Sequence, residues 1–122
     1  MAKSRGEILK ELLEDLEAGT PDIEGSVVVS ADGLVMASAL RTDVDEDRVA
    51  AMSAALLALG ERSAAELDRG GLSEVYVKGE NGYLVLMGAG DAVLGGLCRA
   101  DAKLGMIFLD MRNTVKELKK IV

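Results

Sequence analysis

A segment of twelve residues, VAAMSAALLALG, runs from Val49 to Gly60 with Ser53 as its only polar residue. A helix that is apolar on every side is too hydrophobic for half of it to face water, and twelve residues are too few to span a bilayer. Such a helix must be covered all round. The rest of the chain supplies one sheet, which covers one side, so we expect a second copy of the chain to cover the other.

The composition argues against several classes of partner. The 122 residues carry a net charge of -7, and only 2% of them are aromatic. Nucleic-acid binding uses clustered Lys and Arg for the phosphates and aromatic rings for the bases, so we predict no nucleic-acid partner. The N-terminal segment is charged throughout and lacks the continuous apolar stretch of a signal peptide. We therefore predict one domain over residues 1–122, a cytoplasmic location and no membrane insertion.

Histidine and cysteine, which commonly carry catalysis or bind metals, are scarce. The chain has no histidine, which removes the commonest general base and most transition-metal sites. The acidic run from Asp43 to Asp47 resembles a calcium loop, but Arg48 and Ala54 stand where such a loop requires Gly and Glu. We interpret its carboxylates as helix caps and Cys98, the single cysteine, as a core residue. No catalytic residue, metal site or cofactor is predicted, and we expect a protein that is not an enzyme.

Hydrophobic periodicity and turn signals predict eight elements. The Asp32-Gly33 pair between two apolar runs indicates a hairpin, because these residues accept the positive backbone dihedrals of a tight turn. In chain order we predict a helix over 7–18, strands over 26–30 and 34–40, a long helix ending at Leu67, strands over 73–78, 82–89 and 92–100, and a helix from Leu104. The predicted fold class is α+β, with a five-stranded antiparallel sheet between one central helix and two terminal helices.

The central helix has two different apolar sides. Large residues and one serine lie along the side that we expect to fill the sheet: Val49, Met52, Leu56, Leu59 and Ser63. Small residues lie along the side that we expect to face a second copy at close range: Ala51, Ala54, Ala55, Ala58 and Ala65. Leu57 lies between the two sides and can serve either. Alternatively, the alanines reflect helix propensity alone, but a solvated face normally carries Lys, Glu or Gln and this segment has none.

The order of elements and three segments resemble the roadblock/dynein light chain family. The segments are the hairpin GSVVVSADGLVMAS, the Ala-rich helix after it, and the closing AKLGMIFLDMRNTVKEL, where Leu104-Gly105 begins the last helix. The resemblance covers nearly the whole chain and implies a roadblock, profilin-like sandwich. The short single-domain form is similar to the prokaryotic members of the family that regulate Ras-like GTPases.

This resemblance also implies a homodimer with a non-enzymatic role. The central helices would pair antiparallel, and the third strands would join edge to edge, which adds Glu74, Tyr76 and Lys78 to an interface made by the alanines and Leu57. Family members bind small GTPases as activators or scaffolds, or serve as adaptors in larger assemblies. The implied partner-binding positions lie on the central helix and its flanks: Arg41, Asp43, Arg48, Arg62 and Glu66.

Three functional hypotheses follow from the sequence. The first is a homodimer that binds a Ras-like GTPase and modulates its nucleotide cycle, in which Arg48 or Arg62 could supply a charge to phosphoryl transfer or simply form surface ion pairs. The second is a structural adaptor with no effect on GTP hydrolysis. The third is a small-molecule sensor, against which the scarcity of polar residues at inward positions argues.

Overall fold

Three helices and five strands follow one another in the predicted order. In the structure, a computed structural model that describes residues 2–122, they are α1 (Arg5–Gly19), β1 (Ile23–Ser30), β2 (Val35–Ala39), α2 (Glu46–Glu66), β3 (Val75–Gly79), β4 (Gly82–Ala89), β5 (Ala92–Cys98) and α3 (Leu104–Leu118). The α+β prediction is confirmed, with element ends shifted by a few residues. None of the helices within residues 2–122 combines the length and hydropathy needed to cross a membrane.

All five strands pair antiparallel in one sheet, in the order β2-β1-β5-β4-β3. The hairpins β3–β4 and β4–β5 form the predicted meander, and β1 joins it by pairing with β5. β5 therefore lies at the centre, while β2 and β3 are the two edges of the sheet. The alternation of apolar and polar residues in β3, which predicts an edge or half-covered strand, is consistent with this position.

Each face of the sheet has its own apolar core. Val28 of β1 packs on one face with residues of α1 and α3, whereas Val27 and Val29 pack on the other face with α2. Successive residues of a strand point to opposite faces, which explains this division. The sandwich of one central and two terminal helices around the sheet is thereby confirmed.

Two adjacent glycines in β5 allow helices to approach the centre of the sheet from both sides. A Cβ atom on Gly95 would lie 3.2 Å from the Ser53 Oγ of α2, and one on Gly96 would lie 3.5 Å from the Met111 Sδ of α3. Larger residues at these positions would push the helices outward. Gly95 and Gly96 therefore permit close packing of α2 and α3 on the sheet.

Two local conformations differ from those predicted. In the β1–β2 hairpin only Gly33 takes a positive φ, of 87°, and Asp32 does not. The amide of Gly33 donates to the Ser30 carbonyl and the amide of Ser30 donates to the Leu34 carbonyl, so residues 31–33 connect the strands, as their predicted bounds imply. After α2, Asp68 occupies the left-handed position at φ 53°, although the paired glycines at 70 and 71 are the residues whose type favours that conformation.

Candidate functional site

Large apolar side chains meet solvent where α2 lies beside β3. On α2, Met52 is 53% exposed and Leu59 is 61% exposed, and Leu56 between them is partly covered. On β3, Val77 is 46% exposed on the same face of the sheet, whereas Tyr76 points to the opposite face, where its ring centroid lies 5.9 Å from that of Phe108 of α3. A hollow of about 490 Å³ beside these residues is lined by Met52 and Leu56 of α2, by Val77 and by the turn between β3 and β4. We call Met52, Leu56, Leu59 and Val77 the α2–β3 surface.

The backbone of β3 borders this surface and is free on one side. Within residues 2–122, β3 pairs only with β4, from Val75 opposite Leu86 to Gly79 opposite Gly82. The outer edge of such a strand presents unpaired N–H and C=O groups, which are ready to pair with another strand. Tyr76 and Lys78 lie on this strand, and Glu74 immediately precedes it.

The rotation of α2 about its axis corrects the predicted assignment of its sides. Met52 and Leu59 were expected to fill the sheet but are exposed, whereas small residues and one leucine face the sheet: Ala50, Ser53, Ala54 and Leu57. The physical reason is volume. The sheet supplies its own large side chains to this core (Val27, Val29, Leu86 and Val93), so the helix must supply mainly small ones.

The predicted interface residues on α2 accordingly divide into two groups. Ala54 and Leu57 are buried against the sheet of their own chain, which is one of the two positions predicted for Leu57. The other four alanines are exposed: Ala51, Ala55, Ala58 and Ala65. Ala51 lies on the hairpin side of the helix, since a Cβ atom on Gly33 would be 3.5 Å from its Cα. The sequence does contain a signal for the α2–β3 surface. The strands are rich in Val and Leu, whose side chains fill the space beneath α2, so large side chains of the helix must lie on its other side.

The charged residues predicted to bind a partner lie at the two ends of α2. Near its beginning, the Arg41 Nη2 lies 2.9 Å from the Asp43 Oδ2, and this contact holds the pKa of the Asp43 carboxyl below its usual value. Near its end, the Arg62 Nε lies 2.9 Å from the Glu66 Oε1. All four side chains are more than half exposed. Arg48 and Arg62 are separated by fourteen residues of helix, or about 20 Å, so one chain does not bring the five positions into a single site.

The acidic run before α2 acts as a helix cap, as predicted. Asp45 is the N-cap residue, and its Oδ1 accepts hydrogen bonds from the amides of Asp47 and Arg48. Glu46 accepts a hydrogen bond of 2.6 Å from the Ser38 hydroxyl of β2. These carboxylates therefore stabilise the beginning of α2 and tie it to the sheet.

Cys98 is a core residue, as predicted. Its side chain is 2% exposed and lies in the core beneath α1 and α3. Burial raises the pKa of its thiol to about 11, and the nearby carboxylates of Asp22 and Glu24 act in the same direction. A thiol that stays protonated at neutral pH is a poor nucleophile.

Comparison with known proteins places this geometry in a family. Residues 9–97 match the family model described as the Roadblock/LC7 domain. The uncharacterized protein MJ1340 of Methanocaldococcus jannaschii is 39% identical over 100 residues, which are 82% of this chain and 88% of that protein.

Two solved structures have the same fold. The Roadblock/LC7 domain from Streptomyces avermitilis is similar with a TM-score of 0.84 and 25% identity, covering 91% of this chain and 94% of that one. MglB of Myxococcus xanthus is similar with a TM-score of 0.85 and 20% identity, covering 99% of this chain and 92% of that one. At such low identity, the likeness to MglB describes the fold alone.

Proposed function

Because the chain belongs to the Roadblock/LC7 family, we propose that it is a non-enzymatic homodimer that binds a small Ras-like GTPase and modulates its nucleotide cycle. One observation carries the proposal: large apolar side chains of α2 lie exposed beside the free edge of β3. Large exposed apolar patches of this kind are typical of interaction sites. A second copy would cover both features at once.

The exposed side of α2 is self-complementary under two-fold symmetry. A two-fold axis between Leu56 and Leu59 sets these two leucines opposite each other in an antiparallel helix pair, and it sets Met52 opposite Ser63. The same axis brings Arg48 of one copy close to Glu66 of the other. Apolar contacts would thus fill the centre of the pair and opposite charges would meet at its ends, as an isologous interface requires.

The edge of β3 is self-complementary in the same way. Antiparallel pairing about Tyr76 sets Glu74 of one copy opposite Lys78 of the other, and opposite charges across a strand pair are favourable. The pairing would join the two sheets and satisfy the free backbone groups of both edges. The proposed interface therefore consists of the α2–β3 surface together with three residues at the edge of β3: Glu74, Tyr76 and Lys78.

Dimerisation also explains how distant charged residues could form one GTPase site. In an antiparallel pair, the end of α2 that carries Arg62 and Glu66 lies beside the beginning of the second α2, which carries Arg48 and follows Arg41 and Asp43. Each end of the helix pair would then present all five residues, drawn from both copies. We propose that the GTPase contacts this composite surface.

The proposal is tested by titrating the protein against the small Ras-like GTPases encoded near its gene. Each GTPase is loaded with GDP or a non-hydrolysable GTP analogue, and binding and the rate of GTP hydrolysis are measured. We expect binding to depend on the nucleotide and the hydrolysis rate to change. Arg41→Glu should weaken binding about tenfold, because Arg41 lies outside the proposed dimer contacts but within the composite surface. Lys120→Glu, which follows α3, is exposed and lies outside the five proposed positions, is the matched control.

The outcomes separate the two main hypotheses. Binding that is equal in both nucleotide states, with no change in hydrolysis or exchange, would favour a structural adaptor. Absence of nucleotide-dependent binding for every such GTPase would contradict the regulatory role.

A further inference from the structure

The three aromatic residues of the chain meet at one place on the surface. The ring centroids of Tyr76 and Phe108 are 5.9 Å apart, and those of Tyr76 and Tyr83 are 6.3 Å apart. Tyr76 is 51% exposed and the other two rings are partly exposed, so the cluster lies where β3 and α3 meet solvent. Tyr83 and Phe108 pack against the core on this side of the sheet, and Tyr76 lies over them at the surface. Aromatic residues are enriched at the centres of protein interfaces.

Two cations extend this cluster. The Lys78 Nζ lies 5.8 Å from the centroid of the Tyr83 ring, and the Arg112 Cζ lies 6.0 Å from that of Phe108. Arg112 also contacts Glu74, at 3.4 Å, yet remains 53% exposed. These contacts hold both cations at the margin of the aromatic cluster.

A basic hollow adjoins the cluster through Arg112. The hollow has a volume of about 320 Å³, and its lining includes Arg112, Lys116 and Lys119 but no carboxylate. Met87 and Val115 contribute apolar lining. Within residues 2–122, neither Lys116 nor Lys119 has a carboxylate within ion-pair distance. In a chain with a net charge of -7, such a local excess of positive charge favours an anionic ligand.

The sheet backbone is also open at this hollow. β3 pairs with β4 only as far as Leu86, so β4 continues past its neighbour at Met87 and Gly88. Within residues 2–122, the backbone groups of β4 that point outward there pair with no strand on that side. They offer hydrogen bonds to the main chain of an extended peptide.

We propose that this surface binds an acidic segment of a partner protein. Carboxylates of the segment enter the hollow that Arg112, Lys116 and Lys119 line. An apolar residue of the segment packs on Leu109, which is 51% exposed and lies one helical turn before Arg112. Charge and apolar contact together distinguish this ligand from a free anion.

The probes are two fluorescein-labelled peptides that differ only in charge. The first has glutamates flanking a pair of leucines, and the second has lysines in place of the glutamates. We expect fluorescence anisotropy to detect binding of the acidic peptide and not of the basic one. The double variant Arg112→Glu/Lys116→Glu should bind the acidic peptide at least about tenfold more weakly, as should Leu109→Ser, which changes no charge.

The control is Arg5→Glu/Lys10→Glu, which changes the net charge by the same amount on α1. Equal weakening by both double variants would overturn the proposal, since it would mean that overall charge decides binding. So would unchanged binding of an acidic peptide whose leucines are replaced by serines, because the apolar contact would then be irrelevant. Sedimentation of the protein with vesicles containing phosphatidylserine, lost in Arg112→Glu/Lys116→Glu, would also overturn it in favour of a membrane surface.

This inference is independent of the proposed GTPase site, because the hollow is lined mainly by α3 and by the segment that precedes β3. Arg41→Glu should therefore leave the binding of the acidic peptide unchanged. If the protein binds the acidic peptide but no GTPase, only the proposed function fails. If it binds a GTPase but not the acidic peptide, only this inference fails.

Discussion

Ser53 carries a buried hydroxyl that has no hydrogen-bond partner among residues 2–122. Its side chain is fully covered where α2 crosses Gly95 of β5. Burying a hydroxyl without a partner costs free energy, and serine is also a poorer helix former than alanine. A small residue is needed at this crossing, but its hydroxyl contributes nothing to stability.

We predict that Ser53→Ala raises the free energy of unfolding by about 1 kcal/mol, because the Cβ is kept and the unpaired hydroxyl is removed. Urea denaturation at a fixed protein concentration measures the change. Ser63→Ala serves as the control, since the exposed Ser63 hydroxyl donates to the Leu59 carbonyl. A loss of stability in Ser53→Ala would mean that the hydroxyl has a partner after all.

Ser26 is the contrasting case, a buried hydroxyl with a partner. It is fully buried and donates a hydrogen bond of 2.5 Å to the Glu17 Oε2. Burial raises the pKa of Glu17 above its usual value, and the hydrogen bond from Ser26 opposes this in part. The sequence placed Ser26 on a strand but could not pair it with a helix residue nine positions earlier.

Glu17→Ala should lower the free energy of unfolding by about 1 kcal/mol, because it leaves the Ser26 hydroxyl buried without an acceptor. A raised pKa means that the folded chain binds this proton more tightly than the unfolded chain does. The difference from the wild type should thus be largest below the ordinary value of 4.5 and decrease as pH rises through the raised pKa. Asp15→Ala, at an exposed position of α1, is the matched control. Equal effects of the two substitutions would argue against the role of the hydrogen bond.

At the scale of elements, local signals predicted which helices and strands form and where they lie in the chain, but not which side of α2 faces the sheet. The β1–β2 hairpin and the apolar stripes of α1 and α3 each contain a periodic pattern or a turn signal, and each element formed. α2 is apolar on every side between Val49 and Gly60, so its hydrophobic pattern does not indicate which side of the helix is buried. The volumes of the sheet side chains decide the rotation, and they act only once the strands are paired.

Gly60 shows how closely α2 approaches the beginning of β3. A Cβ atom at this position would lie 2.5 Å from the Val75 Cγ2 and 3.2 Å from the Leu72 Cδ2. We predict that Gly60→Ala lowers the free energy of unfolding by about 1 kcal/mol, because the steric conflict exceeds the gain in helix propensity. Gly105→Ala in α3, where no such neighbour lies within 4 Å, should instead raise it by about 0.5 kcal/mol. Thermal or urea unfolding of both variants checks the two opposite signs.

At the scale of the whole molecule, the alanine side of α2 is the side predicted to contact a second copy, whereas the large exposed apolar side chains of α2 are those of Met52 and Leu59. The exposed apolar residues lie next to β3, where one interface could bury the helix side and the strand edge together. The composite GTPase surface depends on that pairing, since its residues lie at opposite ends of α2 in one chain. Such a site cannot be predicted from the sequence of one chain. Its residues are far apart within one copy, and only the two-fold symmetry of the proposed dimer would bring them together.

The most direct test of the account is the mass of the protein in sedimentation equilibrium. We predict that the wild type sediments with twice the 12.8 kDa of one chain, and that Leu59→Glu sediments as a folded monomer. A charge at Leu59 would be buried without a partner in the dimer but is freely hydrated in the monomer. Leu34→Glu, at an equally exposed leucine in the β1–β2 hairpin, should remain a dimer. A monomeric wild type, or a Leu59→Glu variant that stays dimeric, would contradict the proposed pairing.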